Sequence, residues 1–386
     1  MRRKNVQAKA EALRVLVCPD KFKGTLTAPE AAEALAAGWR RVRPDDTIEL
    51  LPISDGGDGF GELLGAFHDA EEMVCPTVDA ARRPVRARWW WEPKRRLAIL
   101  EAARVIGLAM LPPGRFHPFE LDTFGLGAVI RAAVAKRPAD LLIGIGGSAT
   151  NDAGFGLARA WGWDFLDAAG KPITNWTHLT GLQRVVEGSL PARFPPLHVA
   201  VDVQNGLLGA RGATRIYGPQ KGIRPEDVRP AEYALARLVE VLATGRRSVR
   251  SLANAPGAGA AGGLGFGLSV FFDGELEPGF ARFARETGFA KRVEWADVVV
   301  TGEGALDETS VRMGKGVGQV ARLCARLKTP CLGLAGSVSL GKAGSGPFTA
   351  VAGIVPELAT LDEARAKASH WLRELARRTA AAWEED

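Results

Sequence analysis

The stretch ADVVVTGEGALD, residues 296–307, is a short apolar, β-branched run that stops at a Gly-Glu-Gly turn. Such a run predicts a buried strand over Val298–Thr301, and the apolar spacing from Val317 to Leu327 predicts a helix after it. The same unit recurs downstream as Cys331–Ala335 closed by Gly336-Ser337, then as Ala350–Val355 before a C-terminal helix. It also stands at the front of the chain. Val15-Leu16-Val17 closes on Cys18-Pro19-Asp20 before a helix over Pro29–Val42, and Ile48–Ile53 closes on Ser54-Asp55-Gly56-Gly57-Asp58-Gly59 before a helix over Phe60–Phe67. Between these two groups the texture changes: Val85–Trp91 alternates or is bulky, and Leu97–Leu100 follows a charged turn, which predicts antiparallel pairing. Strands over 14–18, 47–53, 297–301, 331–335 and 350–355 therefore predict one five-stranded parallel sheet of flavodoxin-like, doubly wound type. A second α/β domain interrupts it, with expected boundaries of 13–72 and 291–386 for the outer domain and 73–290 for the insertion.

Within the insertion, a helix is expected near 125–136, then the strand Leu141–Ile145, then GIGGSATNDAGFG over Gly144–Gly156 and a helix over Gly156–Trp163. A glycine-rich turn after a strand lets backbone N–H groups approach an anion, because no Cβ intervenes. The run is neither GxxxxGK[ST] nor GxGxxG, and no strand carries a dinucleotide fingerprint with an acidic residue ~20 positions on. Further on come His198–Val201 ending at Asp202, a helix near Pro230–Ala243, and PGAGAAGGLGFG over Pro256–Gly267, which reads as a device for close packing. Trp89-Trp90-Trp91 reads as packing on a sheet face.

Composition limits the remaining classes. The 386 residues are 46% hydrophobic and 24% charged, as in a globular chain of two domains, and no apolar run approaches the ~20 residues of a membrane span. The basic N-terminal MRRKNVQAKAEAL lacks a signal peptide's apolar core, so the cytoplasm is the expected compartment. Cys18, Cys75, Cys324 and Cys331 form no CxxC pair and predict neither zinc nor disulfides. The net charge of +6 is scattered, without a basic block interleaved with aromatics, so no nucleic acid partner is expected.

Ligands of an open parallel sheet bind beyond the carboxyl ends of its strands. The residues there are Asp20 and Lys23 (PDKFKGT), Asp55 and Asp58 (SDGGDG), Glu303 and Asp307 (GEGALD), and Ser337. The insertion adds Ser148, Thr150, Asn151 and Asp152, with Asp202 and Lys221 (GPQKG) behind them. None of His68, His117, His178, His198 or His370 sits in a motif suited to acyl transfer. Carboxylates for Mg²⁺ or a hydroxyl proton, lysines, and glycine amides are the parts that phosphoryl transfer needs.

These motifs, together with PDKFKGTLTAPEAAEAL, LLPISDGGDGFGELL and VAVDVQNGLLGARGATRIYGPQKG, occur in the order seen in glycerate kinase of the type often called family 1, which the chain resembles over about residues 13–380. The resemblance implies ATP-dependent phosphorylation of D-glycerate, with 2-phosphoglycerate favoured over 3-phosphoglycerate and Mg²⁺ as the metal. It implies catalytic roles for Asp20, Lys23, Asp55 and Asp152, with Asp152 or Asp55 taking the hydroxyl proton. Nucleotide or phosphate would meet Gly146, Gly147, Ser148, Thr150, Asn151, Gly302, Glu303 and Gly304. Substrate would meet Asp58 and Lys221, and metal would meet Asp202 and Asp307. The chain departs from the family pattern at Lys21, at Asp58 in GGDG, at Gly206 after Asn205, at Ala305, at Thr309 and in the spacing to Gly314-Lys315. The altered GEGALD segment keeps one alternative open: a nucleotide- or acid-binding regulator of the same fold.

Overall fold

A computed structural model describes residues 11–308, 310, 316–341 and 344–383. By contacts the chain divides into two compact units, residues 1–54 with 284–386, and residues 55–283.

The first unit is built on five parallel strands: β1 (Arg14–Val17), β2 (Thr47–Leu50), β11 (Val298–Asp307), β12 (Cys331–Ser339) and β13 (Ala350–Val355). Their order, β2-β1-β11-β12-β13, is the doubly wound order that the five apolar runs predict. The direction of winding reverses between β1 and β11. Helix α1 (Ala28–Arg40) starts where Thr27 accepts from the Glu30 amide and Glu30 accepts from the Thr27 amide, a capping box that satisfies two donors at once. Its apolar face, Ala31, Leu35 and Trp39, packs with Val15, Val17, Val298 and Val300 and with the C-terminal helix Ala368–Trp383.

Two strands overrun their expected ends. The glycines of GEGALD and of AGS do not stop the sheet, because β11 and β12 keep pairing from Ala305↔Ser337 to Asp307↔Ser339. The ladder omits only Gly304 and Gly336, which approach so closely that a Cβ on Gly336 would overlap the Gly304 carbonyl.

The second unit carries a six-stranded mixed sheet of order β10-β9-β6-β5-β4-β3: β3 (Glu71–Val78), β4 (Pro84–Glu92), β5 (Leu97–Glu101), β6 (Asp140–Gly144), β9 (Leu197–Val201) and β10 (Glu275–Pro278). β3, β4 and β5 pair antiparallel, and β5, β6, β9 and β10 pair parallel. The strand pair β7 (Asp164–Leu166) and β8 (Arg184–Val186) lies apart from this sheet.

The expected domain boundaries after 72 and 290 fall instead after Ser54 and Phe283. Helix α2 (Phe60–Phe67) explains the first shift. Its Gly61 and Gly65 face the Trp90 indole with no room for a Cβ, so the helix docks on β4 and β5. Trp89, Trp90 and Trp91 are all buried in packing.

Candidate functional site

In the second unit, the loop after β6 meets the SDGGDG loop. The Gly146 amide donates to the Gly56 carbonyl (3.0 Å), and a Cβ on Gly147 would overlap Asp58 Oδ1. Gly147 also has φ +77°, a left-handed conformation that disfavours any side chain. Asp55 is half-buried, Asp58 is exposed, and the Gly147 peptide reaches the surface between buried neighbours. The loops expected to act together therefore do lie side by side. One expected phosphate donor is lost, however, because the Gly146 N–H is already engaged.

Asp152 has a different place from the one its sequence suggests. It is fully buried and accepts from the Thr123 amide (2.9 Å) and hydroxyl (2.8 Å) and from the amides of Gly154 (3.2 Å) and Gly156 (2.9 Å). Burial, with Asp122 nearby, pushes its carboxyl up to about 6 despite these donors. Both oxygens are occupied in holding the loop to the short helix Phe155–Ala160, which replaces the longer helix expected over Gly156–Trp163. Asp152 is thus a positioning residue.

Lys221 is buried at the end of helix Ala213–Lys221, where its Nζ donates to Ser148 Oγ (3.1 Å) and to the Thr150 carbonyl (2.8 Å). Burial lowers its ammonium to about 8, against the raising fields of Asp152 and Asp202. It clamps the loop from beneath, with its ammonium engaged by Ser148 and Thr150. Asp202 is half-buried directly after β9. Thr150 Oγ1 and Asn151 Oδ1 are buried without a hydrogen-bond partner among the described residues. Under the same loop, the PGAGAAGGLGFG run turns left-handed at Ala261, Gly262 and Gly263, and a Cβ on Gly262 would overlap the Thr150 carbonyl. The run is indeed a packing device.

Sequence reasoning missed Glu101. It ends β5 nearly buried, accepting from the amides of Gly59 (3.0 Å) and Gly61 (3.1 Å), so it fixes the SDGGDG loop to the start of α2. Desolvation raises its pKa. The available signal was its position, since it directly follows the apolar run Leu97–Leu100 as the other candidates follow theirs.

In the first unit, a cavity of about 400 Å³ opens at the carboxyl ends of β1, β11, β12 and β13. Asp20, Lys23, Glu303, Gly304 and Ser337 line it. The Asp20 amide donates to the Gly302 carbonyl (2.8 Å), across the point where the winding reverses. Lys23 sits at the exposed tip of the Phe22–Leu26 turn. Glu303 and Gly304 belong to β11, not to a loop. Asp307 is exposed and is not among the residues lining the cavity; its Oδ1 accepts from the Ser310 amide (2.8 Å), which caps a turn. Thr309 and residues 314–315 lie outside the described residues. No three metal-binding side chains cluster among the described residues, and no described helix is long and apolar enough to cross a membrane.

The model of the glycerate kinase family matches residues 15–384. A glycerate kinase of Halalkalibacterium halodurans is 34% identical over 95% of this chain and 97% of its own. A glycerate 2-kinase of Escherichia coli K12 is 31% identical over 91% of this chain and 93% of its own. A crystal structure of a Salmonella typhimurium LT2 protein described as glycerate kinase 2 superimposes with a TM-score of 0.80 at 31% identity, covering 97% of this chain and 99% of that one.

Proposed function

The chain belongs to the glycerate kinase family, and on that premise we propose that it transfers the γ-phosphoryl group of Mg·ATP to D-glycerate, with 2-phosphoglycerate favoured over 3-phosphoglycerate. The contact of the SDGGDG and GIGGSATND loops supports this reading most, because it gathers Asp55, Asp58 and the exposed Gly147 peptide at one strand end. Phosphoryl transfer relies on positioning and on neutralising charge, which such a set supplies.

Asp55 accepts the proton of the attacking hydroxyl, and Asp58 orients the acid. The amides of Gly147 and Ser148 face phosphate, while Lys221 and Asp152 hold their loop in place. Lys23 neutralises the transferred group from its exposed turn. A magnesium ion carried on nucleotide phosphates needs only one or two protein carboxylates and supplies charge neutralisation there. Asp20 and Glu303, both lining the cavity, fit that need better than Asp307; Asp202 remains the candidate of the second unit. Four free, buried cysteines suit a reducing compartment, and we place the reaction in the cytoplasm.

A coupled assay with ATP and D-glycerate tests the reading. Turnover should fall by about 10²-fold or more in Asp55→Asn and Lys23→Ala. No turnover by the wild type, or full turnover by both variants, would overturn it. NMR of the product gives the position of the phosphate.

A further inference from the structure

The lining of the first unit's cavity combines two kinds of side chain. Ile354, Val355, Leu361, Ala364 and Ala368 are apolar, and Leu361 is 49% exposed. Lys21, Lys23 and Arg365 are cationic, and neither Lys23 nor Arg365 has an ion-pair or hydrogen-bond partner among the described residues. A three-carbon acid would fill a small part of about 400 Å³ and has no surface to set against five aliphatic side chains. A nucleotide has both a flat, weakly polar base and a chain of anionic phosphates, and the volume lies in the usual range for such ligands.

We propose that this cavity seats the phosphoryl donor, with its base against the aliphatic side chains of Ile354, Val355, Leu361, Ala364 and Ala368 and its phosphates at Lys23 and Arg365. Arg365 is then a nucleotide-binding residue, supplied by the short helix Leu361–Ala366 that follows β13. A guanidinium fork free of carboxylates suits bidentate contact with phosphate oxygens. Two further carboxylates in the lining, Asp20 and Glu303, leave the three cations in excess. The inference rests on the kinase reading and divides its two substrates between sites.

The test varies ATP and D-glycerate separately for Arg365→Ala and for Ala364→Trp, which fills the apolar side. Each should raise KM for ATP by about tenfold or more and leave KM for D-glycerate within about twofold. Calorimetry with ATP alone should show weakened binding by the same factor, and circular dichroism of Arg365→Ala should be unchanged, since Arg365 is exposed. An unchanged KM for ATP, or a rise confined to D-glycerate, would overturn the inference while leaving the kinase reading intact. A wild type that binds ATP without phosphorylating D-glycerate, and loses that binding in both variants, would sink the kinase reading and uphold the nucleotide site.

Discussion

Asp152 is a carboxylate that the fold keeps at a cost. Its pKa stands at about 6 against an ordinary 3.8, so the native state holds a proton there over a range in which the unfolded chain has lost it. Between those values the native state binds more protons, and stability falls as pH rises. The span corresponds to about 3 kcal/mol. Wild type should therefore lose about that much stability relative to Asp152→Asn between pH 4 and pH 7, read from urea midpoints; parallel profiles would refute the assignment. Lys221 runs the other way. Its ammonium is lowered to about 8 from 10.5, so the unfolded chain binds the extra proton and stability rises between those values. That rise should vanish in Lys221→Met, measured in the same titration. The variant should also lose activity, because the Ser148–Thr150 segment loses its clamp.

At the scale of elements, the loop after β6 depends on how closely other backbone can approach it. Gly262→Ala places a Cβ at φ +67° into the Thr150 carbonyl, which should cost about 2–5 kcal/mol in urea unfolding. Gly114→Ala, at the same φ with nothing nearby, should cost only about 1–2 kcal/mol. Equal losses at the two positions would mean that packing under the loop is slack. The apolar runs announced every strand of the first sheet, most clearly β1 and the first halves of β11 and β12, which are buried on both faces and must be apolar throughout. They did not announce where β11 and β12 end. Gly302-Glu303-Gly304 reads as a turn on local propensity, yet β12 offers a pairing partner as far as Asp307, and tertiary context overrides propensity. The candidate carboxylates were legible as types, at strand ends. Which of them is buried and spent on amides, as Asp152 and Glu101 are, depends on neighbours remote in the chain such as Thr123 and Gly59. Trp90 likewise claims α2 for the second unit through Gly61 and Gly65, whose packing partner is remote in the chain.

For the whole molecule, the division after Ser54 and Phe283 makes the two units unequal in autonomy. Residues 55–283 are contiguous and own an apolar core running from Cys75 to Phe272. Expressed alone, this segment should fold cooperatively, with dispersed amide NMR signals and a single urea transition. Residues 1–54 and 284–386 expressed separately should each be unfolded, since β1 lies between β2 from one segment and β11 from the other. Mixing the two segments should restore far-UV dichroism, and a folded 1–54 fragment would refute the division.

The register Val15↔Val298 sets the order in which the nascent protein can become native. When β1 leaves the ribosome, its central partner has not been made, and at ~5–20 residues per second the wait is on the order of tens of seconds. The inserted unit emerges complete within that interval, while Val15, Leu16 and Val17 still lack their β11 partner. Chaperone demand in the cell should therefore concentrate on the first strand, and charged substitutions in the exposed residues flanking it should relieve that demand more than any gain in equilibrium stability.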